Sequence, residues 1–201
     1  MDVRSQRGFT LYELLVTLLV AGVIFSIGVP NLLQFARNNR MAAAANDMIT
    51  AMLLARNEAI TQRRTVTLCA SPNPLADDPD CDPDLSDPDT TGGYVVWVDN
   101  DGDAVVDGGE DILRQQGAPE DIVLLGDSGF MTFDANGYLD DPATSAGAML
   151  FCDPRGNTVA AGSLSAARGI LIDPLGRGRV LSQVAEIEML NAAEFGNLTC
   201  P

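Results

Sequence analysis

The sequence predicts an α+β protein in which a long N-terminal helix, its first half apolar enough to lie in a membrane, packs on an antiparallel β-sheet domain. Three observations carry that expectation. No side chain between residues 14 and 36 is ionisable, and a helix needs about 20 apolar residues to cross a bilayer. Beyond that segment, apolar residues keep the i, i+3, i+4, i+7 spacing of one helical face as far as Ile60. After Arg64 the pattern changes to short β-type runs separated by Gly, Pro and Asp, and a helix followed by runs of strands gives an α+β architecture.

Each element follows from local chemistry. The chain opens MDVRSQRG, a short segment carrying Arg4 and Arg7, and then FTLYELL, where Glu13 is the only charge. A carboxylate in such a segment costs roughly 2.5–3.5 kcal/mol at a bilayer centre, so it needs a partner or a purpose. Helix is expected from residue 9 to about residue 63, roughly 80 Å at 1.5 Å per residue, with a bend possible at Gly28 and Pro30. Met41, Ala45, Met48, Ile49, Met52, Leu53, Ala59 and Ile60 form its packing stripe, with Arg40, Asp47, Arg56 and Arg63 mostly off it. Strands are predicted at residues 65–69, 94–98, 112–114, 122–125, 130–133 and 148–152. Residues 169–173 and 177–181 flank Pro174–Leu175–Gly176 as a hairpin, while residues 186–195 fit helix or strand equally. No internal repeat is present.

Composition narrows the function. The formal charge is −16, histidine and lysine are absent, and all twelve basic residues are arginine. Nineteen acids stand against the single Arg114 between residues 71 and 141. A uniformly acidic protein would be repelled by nucleic acid, but a segregated one can keep a local basic site. Without histidine, a phosphate loop or a dinucleotide fingerprint, the chain is expected not to be an enzyme. The four cysteines, Cys69, Cys81, Cys152 and Cys200, allow three pairings. Cys69–Cys81 with Cys152–Cys200 is favoured, because each bridge then closes a segment with poor means of ordering itself. Zinc is the alternative, but the spacings fit no standard ligand pattern.

Two motifs suggest ligands. In Gly176-Arg177-Gly178-Arg179, two arginines two apart on a strand would project to one side. The intervening glycine would let a phosphate backbone approach, and guanidinium groups suit bidentate phosphate contacts. The competing expectation is a solvated hairpin whose arginines pair with nearby acids. Counting Asp99 as one, Asp99, Asp101, Asp103, Asp107 and Glu110 fall at one, three, five, nine and twelve, which resembles a calcium loop. Glycine stands at four rather than six, where Ala104 lies, and Asp/Asn/Gly clusters also build ordinary turns. Calcium is therefore one expectation and an acidic turn the other, with no further cofactor foreseen.

The RG-FTLYELL junction, with its apolar run on the far side, resembles the class III signal of type IV pilins and type II secretion pseudopilins. A secretory signal has its apolar core before the cleavage site instead. The strings ITAMLLARNEAITQRRTVTLC, YVVWVDNDGD, FCDPRG and ILIDPLGRGRV are similar to the GspH/FimT family of minor pilins and pseudopilins. The resemblance implies a leader at residues 1–8, cleaved by a prepilin peptidase between Gly8 and Phe9, and N-methylation of Phe9. It implies a transmembrane and filament-core helix at residues 9–36 and a periplasmic domain at residues 37–201, in a single-pass inner-membrane protein that joins a pilus or pseudopilus. Glu13 would pair with the Phe9 amine of a neighbouring subunit and set axial register, since an unpaired carboxylate in a dry filament core is costly. FimT-type members bind DNA through GRxR, matched here by Gly176, Arg177 and Arg179, which implies sequence-independent DNA binding in natural transformation. The GspH-type alternative is a pseudopilin at the tip of the type II secretion system.

Overall fold

A computed structural model describes residues 9–82, 92–140 and 147–201. The chain divides into two compact units, one ending at Arg37 and the other spanning Asn38–Pro201.

Helix α1 (Leu11–Gln62) starts in the first unit and runs unbroken through Pro30. Its start is chemically defined. Thr10 accepts the Glu13 amide on its hydroxyl at 3.2 Å, while the Glu13 carboxylate accepts the Thr10 amide at 3.0 Å. This reciprocal pair is a capping box and satisfies two otherwise orphaned donors. The apolar side chains that follow, Leu14, Leu18, Ile24, Phe25 and Leu32 among them, are exposed. An 18-residue window has mean hydropathy 2.1 with none of it buried, so the helix is long and apolar enough to cross a membrane.

In the second unit the helix buries Met41, Ala44, Ala45, Met48, Ala51, Met52, Ala55 and Ala59. Leu53 and Ile60, expected in the stripe, are exposed instead. Ala44, Ala51 and Ala55 take their place, because a small side chain lets a sheet approach the helix closely. Arg63 adopts a left-handed conformation (φ 53°) and ends the helix. The Arg64 amide then closes on the Ala59 carbonyl at 3.3 Å, as in a Schellman cap.

Among the described residues nine strands follow: β1 (Thr65–Ser71), β2 (Gly93–Asp99), β3 (Ile112–Gly117), β4 (Val123–Gly126), β5 (Phe130–Phe133), β6 (Ala148–Cys152), β7 (Val159–Ala161), β8 (Leu164–Ile172) and β9 (Gly178–Gln183). They form two antiparallel sheets. One has the order β3-β2-β1-β5, the other β4-β6-β8-β7 with β9 also on β8. Strand alternation divides each sheet into two buried faces. Val66, Leu68, Ala70, Val96, Val98 and Met131 of the first sheet share one core with the helix and with Met149, Phe151 and Ile170 of the second. Fully burying such a side chain contributes about 1.5–3 kcal/mol.

The outer faces are covered by irregular chain. Cys69, Val95 and Trp97 cluster with Cys81, Val106 and Phe130. Leu150, Cys152 and Leu181 cluster with Ile187, Leu190 and Leu198 of the C-terminal segment. That segment forms a short helix α2 (Val184–Glu188) and single 3-10 turns at Met189–Asn191 and Ala193–Phe195, so residues 186–195 are helical except at Ala192, where the backbone is extended. Disulfides fasten both covers: Cys69 bridges Cys81 and Cys152 bridges Cys200, with Cα separations of 5.7 and 5.5 Å.

Candidate functional site

The β8–β9 hairpin turns on Asp173. Its carboxylate oxygen Oδ1 accepts the amides of Leu175 and Arg177 at 3.0 and 2.9 Å. Its carbonyl accepts the Gly176 amide at 2.8 Å. Strand pairing begins beyond the turn, with Ile172 opposite Gly178 and Leu171 opposite Arg179. Arg177 therefore belongs to the turn and Arg179 to the strand.

The glycines of the motif serve packing. Gly176 has φ +73°, and a Cβ there would lie 2.5 Å from Phe133 Cε1. A Cβ on Gly178 would lie 2.6 Å from Ile49 Cδ1 and 3.0 Å from Met52 Cε. Both glycines let the hairpin settle on the core under α1. Gly178 faces the helix rather than opening a path for phosphate, which corrects the reason for glycine expected from the motif. By alternation Arg179 points away from α1, toward the face covered by α2.

Both arginines are exposed, at 65% for Arg177 and 61% for Arg179, and both meet acids. Arg177 donates from Nε at 2.8 Å and from Nη2 at 2.7 Å to Asp173 Oδ2. Arg179 Nη1 lies 3.3 Å from Glu186 Oε1. Glu186 Oε2 accepts the amides of Ser182 and Gln183 at 3.3 and 3.2 Å, which caps α2. The Arg177 amide, followed by its guanidinium, holds the Asp173 carboxyl below the usual carboxylate range. The amides of Gln183 and Ser182 do the same for Glu186. The hairpin is thus basic in sequence and close to neutral in space. Other arginines add little to it: Arg155 is engaged by Asp153 and Asn38. Arg168 gives Nη1 to the carbonyls of Ser165 and Ala167 at 2.5 and 2.7 Å, and burial, then the Arg155 charge, pushes its pKa down.

Among the described residues, the acidic loop brings together Asp99, Asp101 and Asp103, whose carboxylate oxygens lie within 4.8 Å of one another. Glu110 is used by the loop backbone, accepting the Asn100 amide at 2.7 Å and the Asp107 amide at 3.2 Å. Asp99 is buried, and both of its carboxylate oxygens accept hydrogen bonds from the fold. Its Oδ1 accepts the Gly102 amide at 2.6 Å, and its Oδ2 accepts the Ala104 amide at 3.1 Å and the Thr67 hydroxyl at 2.9 Å. These are the contacts of a turn closed by its own aspartate.

At the N-terminus, Gly8 lies outside the described residues. Phe9 is 88% exposed, and Glu13 is held by Thr10, whose hydroxyl also donates to it at 3.0 Å. Sequence reasoning passed over Thr10, although Thr-x-x-Glu before an apolar run is the capping-box signature. A groove of about 320 Å³ lies beneath Ala44 and Met48, between Tyr94 and Phe151. Two of its lining residues are joined, since Asp47 accepts the Tyr94 hydroxyl at 2.6 Å, and Asp47 also accepts Arg114 Nη2 at 2.5 Å.

A family model described as prokaryotic N-terminal methylation motif matches residues 3–29. Two crystal forms of the type IV minor pilin FimU of Pseudomonas aeruginosa are similar at 22% identity, with TM-scores of 0.47 and 0.48. They cover 70% and 74% of this chain and 91% and 92% of FimU. No curated protein matches it significantly. The model described as type II transport protein GspH matches residues 44–176, which is about two thirds of the chain and runs from the buried half of α1 to the turn of the β8–β9 hairpin, so the chain belongs to the GspH family of pilin-like proteins.

Proposed function

We propose that this protein is a minor type IV pilin: a non-catalytic filament subunit, anchored in the bacterial inner membrane with its sheet domain in the periplasm, that binds DNA through Arg177 and Arg179. Assembly rests on the apolar, exposed first half of α1. After cleavage between Gly8 and Phe9 by a prepilin peptidase and methylation of Phe9, Glu13 passes from the Thr10 cap to the Phe9 amine of a neighbouring subunit. The observation that carries the DNA reading is the exposure of both hairpin arginines, each with guanidinium donors to spare, since arginine has five and neither uses more than two on its acid. With few contacts, binding is weak, sequence-independent and salt-sensitive, with a log–log slope near −0.9 per phosphate neutralised on duplex.

The second reading is a minor pseudopilin of type II secretion, which the description of the matching family model favours. One experiment separates the two. The full chain in detergent is titrated with plasmid DNA in a gel shift at several salt concentrations, beside the R177A/R179A variant, and transformation and pilus assembly are scored in cells. The expected result is DNA retention and transformation lost in the variant while assembly survives. Equal DNA binding by both proteins removes the claim, and no binding by either leaves the pseudopilin.

A further inference from the structure

The two acids that meet the hairpin arginines are fixed parts of the fold. Asp173 commits Oδ1 to the amides of Leu175 and Arg177 and gives Oδ2 to the Arg177 guanidinium. Glu186 commits Oε2 to the amides of Ser182 and Gln183 and turns Oε1 to Arg179. In each case the oxygen held by the backbone sets the position of the oxygen held by the arginine. A surface lysine or glutamate on a flexible stem is free to leave its partner; these carboxylates are tethered at both ends. Two cations and two anions then leave the hairpin with no net charge. A phosphate arriving there must take the remaining guanidinium donors against an adjacent carboxylate, or displace that carboxylate.

We propose that Asp173 and Glu186 are built-in counter-ions of Arg177 and Arg179, occupying both guanidinium groups in the free subunit and yielding them to nucleic-acid phosphates. The inference rests on the DNA-binding reading above and adds its regulation. A single phosphate on a small molecule competes poorly with a tethered carboxylate. A polymer that presents phosphates to several subunits of one filament gains by avidity what each contact lacks. The counter-ions therefore set a threshold that selects long polyanions over free phosphate and nucleotides. Both acids are ionised at neutral pH, since their hydrogen bonds lower their pKa values.

D173N retains the backbone-holding oxygen and loses the one facing Arg177, and E186Q does the same for Arg179. Full chains in detergent are compared by fluorescence anisotropy with a fluorescein-labelled 30-base-pair duplex at low and moderate salt. The proteins are wild type, D173N/E186Q, R177A/R179A, the quadruple variant, and D77N/D78N, which makes the same change in net charge at exposed acids elsewhere. Thermal unfolding checks each fold, and E186Q alone stands in if D173N weakens the turn. Exposed ion pairs are weak, so removing each charge is expected to tighten binding about threefold, or on the order of tenfold for D173N/E186Q. The gain is expected to vanish in the quadruple variant and to be absent from D77N/D78N. If D173N/E186Q (or E186Q) binds no tighter than wild type while R177A/R179A abolishes binding, the counter-ion inference is overturned and the DNA reading stands. A gain that persists in the quadruple variant or appears in D77N/D78N reflects bulk charge and also overturns it. If neither wild type nor D173N/E186Q binds, the DNA reading falls and the inference falls with it.

Discussion

Gly176→Ala separates a glycine kept for folding from one kept for ligand approach. At Gly176 the backbone is left-handed (φ +73°), and the added Cβ would sit 2.5 Å from Phe133 Cε1 and 3.2 Å from Cδ1. Phe133 is fully buried in the central core, so its ring has little room to retreat. The left-handed conformation costs an L-residue about 1–2 kcal/mol. Overpacking a well-filled core costs about 1–3 kcal/mol. Together these give about 2–5 kcal/mol, and for a domain of this size each kcal/mol lowers Tm by roughly 2–4 °C. The expected drop is therefore at least about 4 °C by circular dichroism or calorimetry on the full chain in detergent. DNA affinity measured well below the transition is expected to change little, because Gly176 is buried and its added Cβ would face Phe133. Unchanged Tm with DNA binding abolished would show that the glycine is reserved for a ligand, and the packing explanation would be wrong.

Two further expectations rest on buried polar groups. Burial first, and then the hydrogen bond to Asp47 and its charge, raises the Tyr94 pKa, with Arg114 opposing. The neutral phenol is thus the form the fold prefers, and its contribution is complete below the unfolded value of about 10 and is lost as pH rises above it. Wild-type Tm should fall more steeply than that of Tyr94→Phe between about pH 9 and 11; parallel curves would refute this. Calcium is tested on the acidic loop. Because Asp99 already spends both oxygens on Gly102, Ala104 and Thr67, millimolar calcium is expected to raise Tm by less than about 1 °C, a shift worth well under 1 kcal/mol. A larger rise, lost in Asp101→Ala, would assign the loop to the metal.

Much of the architecture is written in local pattern. The helix, six early strands and the β8–β9 hairpin follow from periodicity and turn residues, and the expected ends differ from the observed ones by a few residues. What local pattern misses depends on partners distant in sequence. The helix face is one case: counting hydrophobicity selects Leu53 and Ile60, while the sheets' close approach selects Ala51 and Ala55. The division into two sheets is another, since β5 returns to β1 whereas β4 pairs with β6, and nothing in either strand's own sequence states that choice. Short β7 went unseen for the same reason, as Val159–Ala161 becomes strand only by pairing with β8.

The candidate site shows the same limit with more consequence. GRGR reads from sequence as a basic patch opposed by the nineteen acids of the central segment. In the fold the acids seen to meet it are Asp173 and Glu186. Asp173 and Glu186 lie outside that segment, and each reaches its arginine because a turn or a helix cap already fixes one of its oxygens. Charge counting over segments averages away this arrangement, since screening in physiological salt makes the nearest carboxylate matter far more than many at a distance. The electrostatics of the hairpin are therefore decided by two hydrogen-bonded neighbours rather than by the net charge of −16. An acidic protein can present a polyanion site on those terms, provided that the two local counter-ions can be exchanged.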